Sequence, residues 1–121
     1  MNRAEIQNQI IAFSHRSDLT NYVSQFVDNV TQRLNIRLGI TLDPMSGNSG
    51  TNIIADNNPV IYLYGGLREM AIFTADRPSA EAYDTLFNIE VNNLNVKYNG
   101  AEWNNEPIHV KSETEVAYDA T

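Results

Sequence analysis

The sequence predicts a mainly α fold: a four-helix bundle with a short β element at about residues 40–55 and an extended C-terminal tail. Three observations predict it. Residues 59–75 are apolar on nearly every side apart from Arg68 and Glu69, and a helix with so little face for water belongs at the centre of a core. Leu19, Tyr22, Val23, Phe26, Val27, Val30, Leu34 and Leu38 recur at spacings of three and four, the period of an amphipathic helix. After Gly100 the chain becomes acidic, with scattered large apolar residues that it cannot bury by itself. The division expected is a helical bundle domain at 1–100, with a polar loop at 43–52, and an extended arm at 101–121.

The totals narrow the function. With 121 residues and no cysteine, the chain is large enough for one core and has no disulfide framework, thiolate nucleophile or Cys-ligated metal site. A net charge of −7 argues against a protein that grips nucleic acid, because phosphate binding needs a surplus of Lys and Arg. Glu102, Glu106, Glu113, Glu115 and Asp119 against Lys111 alone put −4 of that −7 in the tail. No apolar run approaches the ~20 residues of a membrane span, and the opening residues lack the apolar centre of a signal peptide, so a cytoplasm-like setting is expected.

Taken in order, the first helix runs from about residue 2 to 13. Ile6, Ile10 and Phe13 lie on one stripe, and Asn2 with Glu5 resembles a capping box. Ser17 or Asp18 caps the second helix, which ends at Gly39. Its far side, Ser24, Gln25, Asp28, Asn29, Thr31, Gln32 and Asn35, is polar and mostly uncharged. That suits either an ordinary solvated face or one that is wet before assembly and cheap to desolvate afterwards. Ile40-Thr41-Leu42 and Ile53-Ile54-Ala55 read as two short strands flanking a hairpin tip or mobile arm.

Asn58 and Pro59 open the central helix, where Gly65-Gly66 implies either close approach of a neighbouring helix backbone or a kink, with close packing preferred. The fourth helix turns Ala80, Tyr83, Leu86, Phe87, Glu90, Val91, Leu94 and Tyr98 to one side and forms a hairpin with the third. In the tail, Ile108-His109-Val110-Lys111 alternates like an edge strand. Trp103 and Tyr118 suggest docking onto another chain or back onto the strands near Ile40 and Ile53, with a partner preferred.

Catalytic readings are weak. His15 and His109 are the only histidines, and each has a carboxylate near in sequence, Asp18 and Glu106, but nothing assembles a nucleophile, a base and an oxyanion site. Glu90 is a single carboxylate, and Arg33 and Arg37 suit the negative end of the second helix. No enzyme and no cofactor are expected.

His15-Arg16-Ser17-Asp18-Leu19, Phe26, Thr31-Gln32-Arg33-Leu34-Asn35-Ile36-Arg37-Leu38 and Leu63-Tyr64-Gly65-Gly66-Leu67-Arg68-Glu69-Met70, in this order and spacing, resemble the adaptor or head-to-tail connector proteins of tailed bacteriophages. The likeness covers residues 3–75 and extends loosely to Pro107-Ile108-His109-Val110. It departs between residues 38 and 57, where longer members carry an extensive β region.

The resemblance implies a structural, virion-located protein made in the bacterial host cytoplasm. Its copies would form a homo-oligomeric ring, a dodecamer matching the portal protein, which receives tail nozzle or tail-tube proteins and lets DNA pass without sequence-specific binding. Arg16, Asp18, Gln25, Asp28, Arg33 and Arg37 are then the inter-subunit candidates, and Trp103, Ile108, Val110, Val116 and Tyr118 the portal or tail docking candidates. An acidic channel wall would repel DNA at short range, and a repeated docking tail would gain affinity by multivalency. The alternative is a cytoplasmic helical protein-interaction module or small regulator.

Overall fold

A computed structural model describes residues 1–99 of the chain. They form five helices, α1 (Arg3–Ser14), α2 (Thr20–Leu38), α3 (Ile53–Asn57), α4 (Val60–Phe73) and α5 (Arg77–Asn99), with a 3-10 turn at Ser17–Leu19 between the first two. The fold is mainly α, and α4 is its centre: it packs against α1, α2, α3 and α5. Its buried face includes Ile61, Tyr62, Leu63, Leu67 and Met70.

The paired glycines of α4 serve close packing within a continuous helix. A Cβ added at Gly65 would stand 2.8 and 2.9 Å from the two Val30 methyls and 3.1 Å from Phe87 Cε1, while one at Gly66 would fall against Ile10 Cδ1 and Cγ1. The close neighbours are therefore side chains of α1, α2 and α5, not the helix backbone anticipated from the sequence. The two missing side chains let three helices close on one.

Helix ends follow local chemistry. At α1 the capping box is complete, with Asn2 accepting from the Glu5 N–H and Glu5 accepting from the Asn2 N–H, both at 2.9 Å. Gly39 ends α2 in the left-handed region at φ 67°. Neither Ser17 nor Asp18 caps α2; the 3-10 turn leads directly into it. Asp76 accepts from the Ser79 N–H at 3.3 Å, so Pro78 lies in the first turn of α5, where its missing N–H costs little.

The described residues form five helices, one of them the short α3, and contain no strand, so the β element expected at about 40–55 is replaced by an irregular segment and a helix. Ile40 and Leu42 are buried with Thr41 exposed between them, so the alternation marks which side chains turn inward. Their N–H groups go to Asn35 instead of a second strand: Ile40 to its carbonyl at 3.2 Å and Leu42 to its side-chain oxygen at 2.8 Å. Ile53-Ile54-Ala55 begins α3 because the Asn52 side chain accepts from the Ala55 N–H at 2.9 Å, a helix N-cap.

The polar loop at 43–52 is neither a hairpin tip nor a loose arm. The Gly50 and Asn48 carbonyls accept from the Arg3 and Ala4 N–H groups at 2.8 and 3.1 Å, which satisfies donors that the first turn of a helix leaves unpaired. Met45 is fully buried, and at Gly50 a Cβ would lie 2.5 Å from the Met45 carbonyl carbon and the Ser46 oxygen, because the loop doubles back there.

Candidate interaction surface

Two polar networks fix how the helices present their surfaces. The first is internal. Asn52 donates to the Asp43 carbonyl and to the Tyr62 hydroxyl, both at 3.0 Å, and Tyr62 lies 2.7 Å from the Thr31 hydroxyl, which donates to the Val27 carbonyl at 3.1 Å. A hydroxyl has one proton, so Tyr62 accepts from Asn52 and donates to Thr31. Burial pushes the Tyr62 pKa up. Thr31, read from the sequence as part of the wet face of α2, is therefore a core residue.

The second network crosses the open side of the molecule. Gln25 donates to Asn29 and Asn29 to Glu69, each at 3.0 Å. Arg68 joins Glu69 at 3.0 Å to Asp84 at 2.8 Å. Asn88 donates to Asp84 at 3.2 Å and receives Arg37 at 2.6 Å. The path leaves α2, crosses α4 and α5, and returns to α2. Arg68 and Glu69, the two charges of the otherwise apolar central helix, are its middle links.

These contacts place the inter-subunit candidates. Gln25 and Arg37 end the crossing network. Asp28, 43% of whose side chain is exposed, pairs with Arg3, whose buried guanidinium lies 2.7 Å away and also donates to the Ser24 carbonyl at 2.8 Å and the Pro44 carbonyl at 3.3 Å. Arg16 and Asp18 pair with each other through two contacts of 3.0 Å. The hydrogen bond from Arg16 holds the exposed Asp18 carboxyl below the usual aspartate range. Arg33 lines a shallow surface depression with Gln32, Ile36 and Glu69. Gln25 and Arg33 thus share the α2 surface, whereas Arg16 and Asp18 sit at the α1–α2 junction. His15 is the left-handed C-cap of α1 at φ 56°. Trp103, Ile108, Val110, Val116, Tyr118 and His109 lie outside the described residues.

The sequence reading missed an apolar surface. Phe13, Tyr22 and Leu86, assigned to inward stripes, are exposed, and so are Ile36, Ile72, Phe73, Ile89 and Val96. Tyr22 and Phe73 rings lie 4.8 Å apart, with the buried Phe26 ring 5.7 Å from Phe73 in an edge contact. This cluster joins the start of α2 to the end of α4. Helical periodicity identifies apolar stripes but does not say which of two stripes on one helix faces inward.

Among the described residues no group of three or more His, Asp or Glu is placed to hold a metal ion, and no helix is long and apolar enough to cross a membrane. Comparison of the chain with protein-family models, curated proteins and solved structures finds no match.

Proposed function

We propose that the chain is a non-catalytic structural adaptor of a tailed phage, a bundle of its four longer helices that assembles as a ring beneath the portal protein and joins the DNA-filled head to the tail. The observation that carries the assembly part is the outward apolar surface, in which Phe13, Tyr22, Ile72 and Phe73 are exposed among the described residues. Concentrated exposed apolar side chains mark interaction sites. The order of motifs in residues 3–75 supports the choice of a head-to-tail connector. The acidic balance suits a wall past which DNA slides with little friction.

The test is co-expression with a portal protein followed by size exclusion. Comigration as a ring-sized complex is expected, and its loss on trimming the chain after Gly100 assigns the docking to the tail. Migration as a free small protein would leave the competing reading, a cytoplasmic interaction module or regulator. Electron microscopy of particles lacking the protein is expected to show filled heads that leak DNA and bear no tail.

A further inference from the structure

Helix α5 carries two apolar stripes on opposite sides. Phe87, Val91 and Leu94 are buried against the core. On the other side Ala82, Leu86, Ile89, Asn93 and Val96 follow one another at intervals of four, three, four and three, and every one of them is exposed. Leu86, Ile89 and Val96 leave 38%, 48% and 81% of their surface to solvent. That alternation is the heptad spacing of a coiled-coil seam, with Leu86 and Asn93 at a positions and Ala82, Ile89 and Val96 at d positions.

We infer that this outer face of α5 pairs in parallel with the same face of a second copy of the chain. Asn93 selects both the occupant and the direction. In a parallel, in-register pair it meets Asn93 of the second copy, and each amide offers both a donor and an acceptor. Reversing one helix sets a positions against d positions, so Asn93 would face Ile89 or Ala82 of the second copy and lose a partner at a cost. A single seam asparagine is a known device for fixing register.

The flanking residues agree. In the parallel pair Thr85 lies beside Glu90 of the second copy and Asn92 beside Lys97 of the second copy, so no like charges meet although the chain as a whole carries −7. The seam is short, about 21 Å from Ala82 to Val96, well below the size of a permanent interface. The pair therefore forms with rising concentration. An isologous pair closes on itself, so it differs from the contact that would propagate around a ring and does not depend on the adaptor reading.

Sedimentation equilibrium of the full chain tests this. The expected result is a monomer–dimer equilibrium half-complete on the order of 100 µM. Ile89→Glu should weaken it at least ~10-fold and Asn93→Leu should tighten it by a similar factor, with circular dichroism melts showing that Ile89→Glu leaves the fold intact. Because the chain has no cysteine, introduced thiols report direction. Val96→Cys alone should oxidise to a covalent dimer, whereas mixing Leu86→Cys with Val96→Cys should give no preferred cross-pair. A chain that stays monomeric to about 1 mM, a dimer indifferent to Ile89→Glu, or a dominant cross-pair would overturn the inference.

Discussion

Helix α4 and the segment from residue 39 to 52 are both built into the core, and they are held there by different forces. α4 is held by apolar contact on nearly every side, with Gly65 and Gly66 removing the atoms that would keep its neighbours apart. The segment after α2 buries Ile40, Leu42 and Met45, but its course is set by hydrogen bonds to Asn35, Asn52 and the first turn of α1. Close packing resists added volume, whereas a directional bond is either made or lost.

Asn52→Ala should separate the two regimes most sharply. It removes a helix cap and leaves the Asp43 carbonyl and the Tyr62 hydroxyl short of a donor, and an equilibrium denaturant melt is expected to register a loss of about 2–4 kcal/mol. On the packing side, Gly65→Ala should cost about 1–2 kcal/mol after its gain in helix propensity, because both stiff Val30 methyls stand in the way. Gly66→Ala should cost less, since the far end of Ile10 can swing aside. Equal losses at the two glycines would blur the comparison.

Tyr62→Phe takes one link from the internal network and should cost about 1 kcal/mol. It should also remove part of the alkaline sensitivity. A raised folded pKa gives stability that is fully present below the ordinary tyrosine value and is lost as pH climbs through the folded one. The smallest effect belongs to the exposed Arg16–Asp18 pair. Arg16→Gln should return the Asp18 titration, followed by NMR, upward to the usual aspartate range. The pair's contribution is present above that usual value and disappears as pH falls through the lowered folded value.

What the sequence disclosed follows the same division. The central position of α4, the α2 stripe, the capping box at Asn2 and the stop at Gly39 were legible because each is encoded within a few residues. The strand reading of 40–55 failed because Asn52 and Asn35 act on their neighbours through side-chain bonds that mimic no periodic pattern. Thr31 looked solvated because its partner, Tyr62, arrives from a distant helix. Periodicity alone turns Leu86 inward, because α5 has two stripes and the spacing of either is helical. Asp28 meets Arg3 of the same chain and still leaves 43% of its side chain to solvent, a pairing that no local pattern announces.

The loop carbonyls of Asn48 and Gly50 that complete the start of α1 have a consequence for synthesis on the ribosome. Arg3 and Ala4 emerge long before the groups that receive their N–H bonds have been translated. At ~5–20 residues per second, these two N–H groups wait several seconds for their acceptors, although the Asn2–Glu5 box is available from the start. The opening turn of α1 should therefore settle late, and lesions in the loop should hasten unfolding more than they slow folding.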